Sequence, residues 1–241
     1  MEKLYKKDET WFAVIWIIAY VVLVSAGDAV SEKIGLIKSV TLVLCGALSV
    51  AAFMFIKKNG LMEYYGLCKG DFDGKKWLYF LPLIAVSSVN LWCGLQMNHS
   101  VLESVLYAAS MVFVGFFEEV IFRGFLFRGM CRNNMKAAII VSSLTFGMGH
   151  IVNLLNGRDF VPTMLQIIYA TAIGFMFTMI FVKSGSIIPC ILSHIAVNAT
   201  STFSTEKDMV TGIAVSLIIT VLSAGYGYYL LKKFPDKIKG E

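Results

Sequence analysis

The sequence predicts an all-α polytopic membrane protein, with eight transmembrane helices in one bundle and both termini cytosolic. Three observations carry that expectation. Of its 241 residues 57% are hydrophobic and only 15% charged, more apolar than a soluble domain, whose apolar share is nearer one half. Runs of about 20 apolar residues, enough for a helix to cross a bilayer, recur along the chain. The basic residues fall between those runs instead of within them. Helices are expected because a backbone in hydrocarbon must pair its own polar groups, and no strand signal points to a closed barrel.

The spans read in order as 11–27, 37–56, 77–95, 104–127, 137–154, 163–182, 187–204 and 210–231. The opening "MEKLYKKDET" is basic, and the apolar run after it lacks a small-residue cleavage site, so it reads as a retained first span. Basic residues accumulate on cytoplasmic segments of membrane proteins. With the amino terminus inside, 16 of the 21 Lys and Arg residues fall on inner segments, among them Lys75 and Lys76. Four, Lys33, Lys38, Arg158 and Lys207, fall outside, and Arg123 lies within a span. The net charge of +5 is thus topology information, and nucleic acid is not an expected partner. No repeat or composition break divides the chain, so residues 1–241 read as one transmembrane domain with a motif-bearing core at about 104–204. The longest polar segment, 57–76, reads as a connector anchored at the interface by its Lys, Tyr and Trp77, with substrate recognition as the alternative. Five cysteines without a CxxC pair read as small packing residues.

Apart from these segments, the acidic, basic and histidine residues inside spans are Glu118, Glu119, Arg123, His150 and His194. Each charged group at mid-helix costs about 2.5–3.5 kcal/mol on insertion scales, so function is the default reading of such residues. In "EEVIFR", 118–123, Glu119 and Arg123 are four apart with Glu first, the favoured order for an ion pair. Glu118 is rotated by about 100° and must find another partner or water. In "FGMGH", 146–150, Phe146 and His150 share a face, and Gly147 and Gly149 allow close approach of another backbone. Asn153 lies near that face. In "HIAVN", 194–198, His194 and Asn198 align at four-residue spacing. His99 falls in a short outer loop and is expected to be solvated.

Two carboxylates, two histidines, an asparagine and an arginine suit hydrolysis, which needs a base for water and donors for an oxyanion. Glu118, His150 and His194 could alternatively hold one divalent ion such as zinc with a position open for water. There is no HExxH, so such a site would be assembled across helices. No G-x-S-x-G setting supports a serine triad.

These three motifs resemble the EExxxR, FxxxH and HxxxN motifs of the CAAX-protease and bacteriocin-processing (CPBP, or Abi) family, which includes the Rce1-type prenyl-protein endopeptidases. They occur in the family's order, over roughly residues 104–204. The resemblance implies an intramembrane endopeptidase with its site open to the cytosol. By motif, Glu118 with His150 would activate water, Glu119 would support His150, and His194 with Asn198 would stabilise the oxyanion. The family is described both as metalloproteases and as glutamate-dependent proteases, so both routes stand at this point. The implied substrate is a membrane-embedded or lipid-anchored peptide or protein, prenylated in eukaryotic members. The lysine-over-arginine bias hints at a prokaryotic membrane, where a bacteriocin or signalling precursor, or self-immunity, is the expectation.

Two other functions fit the same topology. A non-catalytic immunity or scaffolding protein would bind a partner peptide without cutting it. A proton-coupled transporter would use the Glu/His/Arg cluster as a relay, although paired repeats with broken helices are not visible. The spans place Glu118 about 14 Å from the inner end, His194 about 11 Å and His150 about 20 Å. Convergence therefore requires a tilted fifth helix, an interfacial turn around "NNMKAA", or shifted boundaries.

Overall fold

The computed structural model describes residues 2–72 and 77–239. Lys75 and Lys76 lie outside them, as does the Trp77 side chain expected at the interface. Every regular element among the described residues is helical. In chain order these are α1 (Glu2–Lys7), α2 (Glu9–Ile34), α3 (Ser39–Lys58), α4 (Trp77–Ser87) and α5 (Val101–Cys131). Then come α6 (Met135–Leu155), α7 (Phe160–Ser184), α8 (Ile188–Thr200) and α9 (Met209–Lys233).

Local chemistry sets the helix ends. Asp8 caps α2 by accepting from Trp11 N at 2.9 Å. Ser100 and Glu103 form a reciprocal capping box at the start of α5. Asn134 caps α6 through Ala137 N at 3.0 Å, and Asp208 caps α9 through Val210 N and Thr211 N. Outward-facing apolar side chains such as Ile18, Val43, Ile84, Leu217 and Val221 are exposed, as lipid-facing positions should be.

Among the described residues six helices, against the eight expected, are long and apolar enough to cross a membrane: α2, α3, α5, α6, α7 and α9. The expected third and seventh spans contain helices of only 11 and 13 residues, about 16 and 20 Å against a hydrocarbon core of about 30 Å. Polar residues end them early. In α8 the Thr200 hydroxyl donates to Ala196 O and Ser201 to Asn198 O, both at 2.7 Å, local bonds that compete with helix continuation. The chain beyond each short helix pairs with the other. Gln96 N donates to Phe203 O at 2.8 Å, Leu95 bridges Ser204, and Asn98 Nδ2 donates to Thr202 O at 3.0 Å. The two truncated elements thereby satisfy each other's backbone groups.

Contacts sort the connecting segments into two ends. At the lysine-rich end, Lys58 pairs with Glu2, Arg132 with Glu9, and Tyr64 donates to Glu9. Segment 59–72 is more than a connector there. Tyr65 is fully buried, Gly66 O accepts from Ile187 N at 2.9 Å and Cys68 O from the Ser186 hydroxyl at 2.7 Å. Buried Lys183, at the end of α7, donates to Phe234 O and Asp236, which latches the C-terminal segment over that helix. The opposite end gathers residues 90–98 with 197–205.

Within the bundle α5 packs against α3 and α8, α2 packs on α3, and α7 packs against α6 and α9. The five cysteines are free thiols, with Cys45, Cys131 and Cys190 buried. Of the two glycines expected to admit a neighbouring backbone, one does so. A Cβ on Gly147 would overlap Thr171 Oγ1 and come within 2.8 Å of Ile167 O, whereas nothing lies within 4 Å of a Cβ on Gly149. Gly147→Ala should therefore force α6 and α7 apart and lower stability by about 1–3 kcal/mol. Gly149→Ala should leave the unfolding midpoint unchanged. Thermal unfolding of both variants in detergent checks the contrast.

Candidate functional site

Helix α5 is a regular α-helix as far as Glu119. It then widens into a π-helical stretch, Val120–Phe127, before closing again at Arg128–Cys131. Such stretches are rare and concentrate at functional sites. All eight residues of the wide turn are buried. The Ser142 hydroxyl, on α6, donates to Phe122 O at 2.9 Å, which ties the helix carrying His150 to the widened turn.

Glu119 and Arg123 are both fully buried and paired, Arg123 Nη1 donating to Glu119 Oε1 at 2.9 Å. The same carboxylate oxygen lies 2.8 Å from His194 Nδ1. A carboxylate only accepts, so Nδ1 carries the proton and Nε2 is turned to the other side of the ring. Phe146 covers this group. The Arg123 Cζ sits 4.1 Å from its ring centroid and 5.5 Å from that of Phe177. The two rings compensate a guanidinium whose Nε and Nη2 have no hydrogen-bond partner. Phe146 also meets the His194 ring edge-on at 5.4 Å and the His150 ring at 6.1 Å.

Glu118 is separate from that pair, as its rotation requires. Its side chain is 15% exposed, and its Oε2 lies 3.7 Å from His194 Nε2. Its other oxygen, Oε1, accepts from the Tyr20 hydroxyl at 2.5 Å. Tyr20 comes from α2, is packed on Phe117, and was not singled out from the sequence. The available signal was its depth: tyrosines of membrane helices favour the interfaces, and Tyr20 sits in the middle of α2.

His150 lies on a 3₁₀ turn, Gly149–Ile151, near the end of α6. It is half-buried and within electrostatic reach of Glu118 and His194. Glu119 therefore supports His194, not His150 as the motif resemblance implied. Asn198 is half-buried one helical turn beyond His194. Among the described residues neither the His150 ring nor the Asn198 amide has a hydrogen-bond partner. Asn153 turns away, donating to Gln166 Oε1 at 2.9 Å. His99 stacks on Tyr107, far along the chain from the site, and is half-buried.

The depth discrepancy resolves through boundaries. Helix α5 continues to Cys131 rather than 127, which sets Glu118 deeper than the expected boundary did and nearer the depth of His150. A turn at 132–133 leads into α6, which Asn134 then caps. His194 is early in its own helix, but that helix starts recessed, with Ser186 and Ile187 buried beneath segment 59–72. Helix α8 is fixed there on three sides. Ser193 Oγ lies 2.8 Å from Ser87 Oγ, Cys190 Sγ contacts Phe177 O, and a Cβ on Gly115 would come within 2.9 Å of Ile195 N.

A metal site would need several donors converging on one point. Among the described residues no three His, Cys, Asp or Glu side chains are gathered in a way that could hold an ion, while the His194 Nδ1–Glu119 bond leaves Nε2 free, as in a ligating histidine.

Removing the negative charge at Glu119 strands Arg123. Glu119→Gln should destabilise the bundle by about 3–5 kcal/mol, the cost of leaving a buried charge unpaired. Adding Arg123→Met to that variant should recover most of the loss, because a buried pair exchanged for apolar side chains is often neutral. Unfolding midpoints of the single and double variants measure both effects.

Residues 100–200 match a family model described as type II CAAX prenyl endopeptidase Rce1-like. No curated protein and no solved structure matches the chain. All three motifs, and every site residue described above except Tyr20, fall within the matched segment. The apolar helices describe an integral membrane protein, and its motif-bearing segment is similar to a protease family. Over residues 100–200 the chain is similar to the type II CAAX prenyl endopeptidase Rce1-like family.

Proposed function

We propose that this chain is an intramembrane endopeptidase that hydrolyses a peptide bond of a membrane-associated or prenylated CAAX-type substrate by glutamate-dependent activation of water. The observation that carries the reading is the division of labour on Glu118. Tyr20 holds Oε1, while Oε2 faces His194 Nε2 at 3.7 Å. One water can reach both atoms with hydrogen bonds of about 2.8 Å. Glu118 Oε2 takes a proton from that water as its oxygen attacks the scissile carbonyl. The same carboxyl then delivers the proton to the departing amide nitrogen. Glu119 fixes the tautomer and orientation of His194. In this reading His150 and Asn198 donate to the oxyanion. No step is routed through a metal.

The membrane setting agrees with this reading. A cavity of about 540 Å³ opens between α7, α8 and α9, with Val197, Ile173 and Ile219 among its apolar walls and Asp159 and Lys207 among its polar ones. In this reading a substrate segment enters the bundle through this cavity, from the end opposite the lysine-rich one. The lysine-rich end is the cytosolic one in this reading, with both termini on that side and α4 and α8 completing their passages through the extended chain that follows them. A prokaryotic membrane and a bacteriocin or signalling precursor fit the lysine bias.

Cleavage of a peptide library by detergent-purified protein tests the proposal. Glu118→Gln should reduce turnover by about 10²–10⁴-fold with folding intact. Biological activity unchanged in that variant would instead favour a scaffolding role. Metal analysis belongs to the same experiment: activity abolished by a chelator and restored by zinc would overturn the metal-free route. Tyr20→Phe removes one hydrogen bond to the base and should lower kcat by about tenfold with KM unchanged. Kinetics on one cleaved peptide separate the two constants.

A further inference from the structure

At the lysine-rich end, away from the carboxylate site, lies a second cavity, of about 350 Å³. Its walls come from segment 59–72, the end of α5, the α7–α8 turn and the C-terminal segment. Lys69, Arg128, Lys237 and Lys239 line it against two carboxylates, Glu63 and Asp71. Lys237 is paired with Asp71 at 2.9 Å, which leaves three cations facing Glu63.

Arg128 is the informative member. It is half-buried, with Cζ 4.0 Å from the centroid of the Tyr64 ring. Its buried Nε has no hydrogen-bond partner, and among the described residues no carboxylate pairs with its guanidinium. The nearby carboxylate is engaged elsewhere, Glu9 taking Arg132 at 3.1 Å and the Tyr64 hydroxyl at 2.8 Å. Stacking covers the face of the guanidinium and leaves its in-plane N–H groups available. A charge withdrawn from water without a counter-ion is costly. A planar fork of donors, flanked by lysines in a cavity at the membrane surface, matches the oxygens of a phosphate.

We infer that this cavity is an anion site for a phosphate group, carried by the headgroup of an anionic phospholipid or free in solution. Arg128 holds the phosphate oxygens edge-on, with Lys69 and Lys239 supplying further positive charge. The inference stands independently of the hydrolytic reading, since it uses none of the groups around Glu118.

Delipidated full-length protein in a neutral detergent provides the test. Phosphatidylglycerol, phosphatidylcholine and inorganic phosphate are titrated separately at matched ionic strength, with native mass spectrometry and thermal unfolding as readouts. Phosphatidylglycerol should bind more tightly than phosphatidylcholine and raise the unfolding midpoint. Arg128→Gln should weaken that binding by about tenfold, the loss expected for a charge-assisted hydrogen bond. Lys57→Gln, exposed at the same end, should leave it unchanged. If Arg128→Gln does not yield monodisperse protein, Lys69→Gln on the exposed side of the cavity gives the same comparison. Competition by inorganic phosphate alone assigns free phosphate as the ligand, and stabilisation by phosphatidylglycerol alone assigns the lipid headgroup. Equal losses in the site variants and in Lys57→Gln, or no response to either phosphate source, overturn the inference.

Discussion

The arrangement depends on keeping one carboxylate charged where water is scarce. Glu119 is fully buried, yet Arg123 and His194 both reach its Oε1. The two partners differ in kind. Arg123 is on the same helix four residues on, so the pair can form within α5 before any neighbour docks, reducing the cost of placing either charge in hydrocarbon. His194 arrives from α8 and can engage only when the bundle is assembled. The ion pair thus lets the helix enter the membrane, and the histidine contact reports that the site is complete. Phe146 joins the two, stacking on the arginine and meeting the imidazole with its ring edge.

That contact sets strict demands on α8. A full-length span would place its histidine wherever the helix happened to lie relative to α5. Here α8 begins recessed under segment 59–72, and Ser193, Cys190 and Ile195 fix it against α4, α7 and α5. The shortness of α4 and α8 is part of this solution. Their polar ends leave the helical ladder and pair with each other, which holds the short helices at one depth without either crossing alone.

Much of this was legible in the residues themselves. Helical class follows from composition, because hydrocarbon leaves so few backbone options. The Glu119–Arg123 pair follows from spacing, because both residues belong to one helix. The exclusion of Glu118 from that pair follows from rotation. What could not be read depends on contacts between helices or on departures from α geometry. Hydropathy counts apolar residues and so extended α4 and α8 through serines and asparagines that end them. The assignment of Glu119 to His194 instead of His150 requires knowing which helices touch. Gly147 and Gly149 look alike in sequence, and only the position of α7 distinguishes them. The π-helical widening after Glu119 has no periodic signature in a stretch that is apolar apart from Arg123.

Tyr20 shows why the motif-bearing segment is not the whole site. It lies in α2, outside the matched residues 100–200, yet its hydroxyl takes one of the two oxygens of Glu118. A carboxylate with both oxygens equivalent could meet water through either and would rotate between them. With Oε1 held by a hydroxyl that Phe117 keeps in place, only Oε2 is left to face His194 and a reactant. In the proposed mechanism α2 would therefore select the working oxygen of the base, a role that needs no charge of its own. An apolar span with no acidic, basic or histidine residue at its centre thus reaches the candidate site through one hydroxyl.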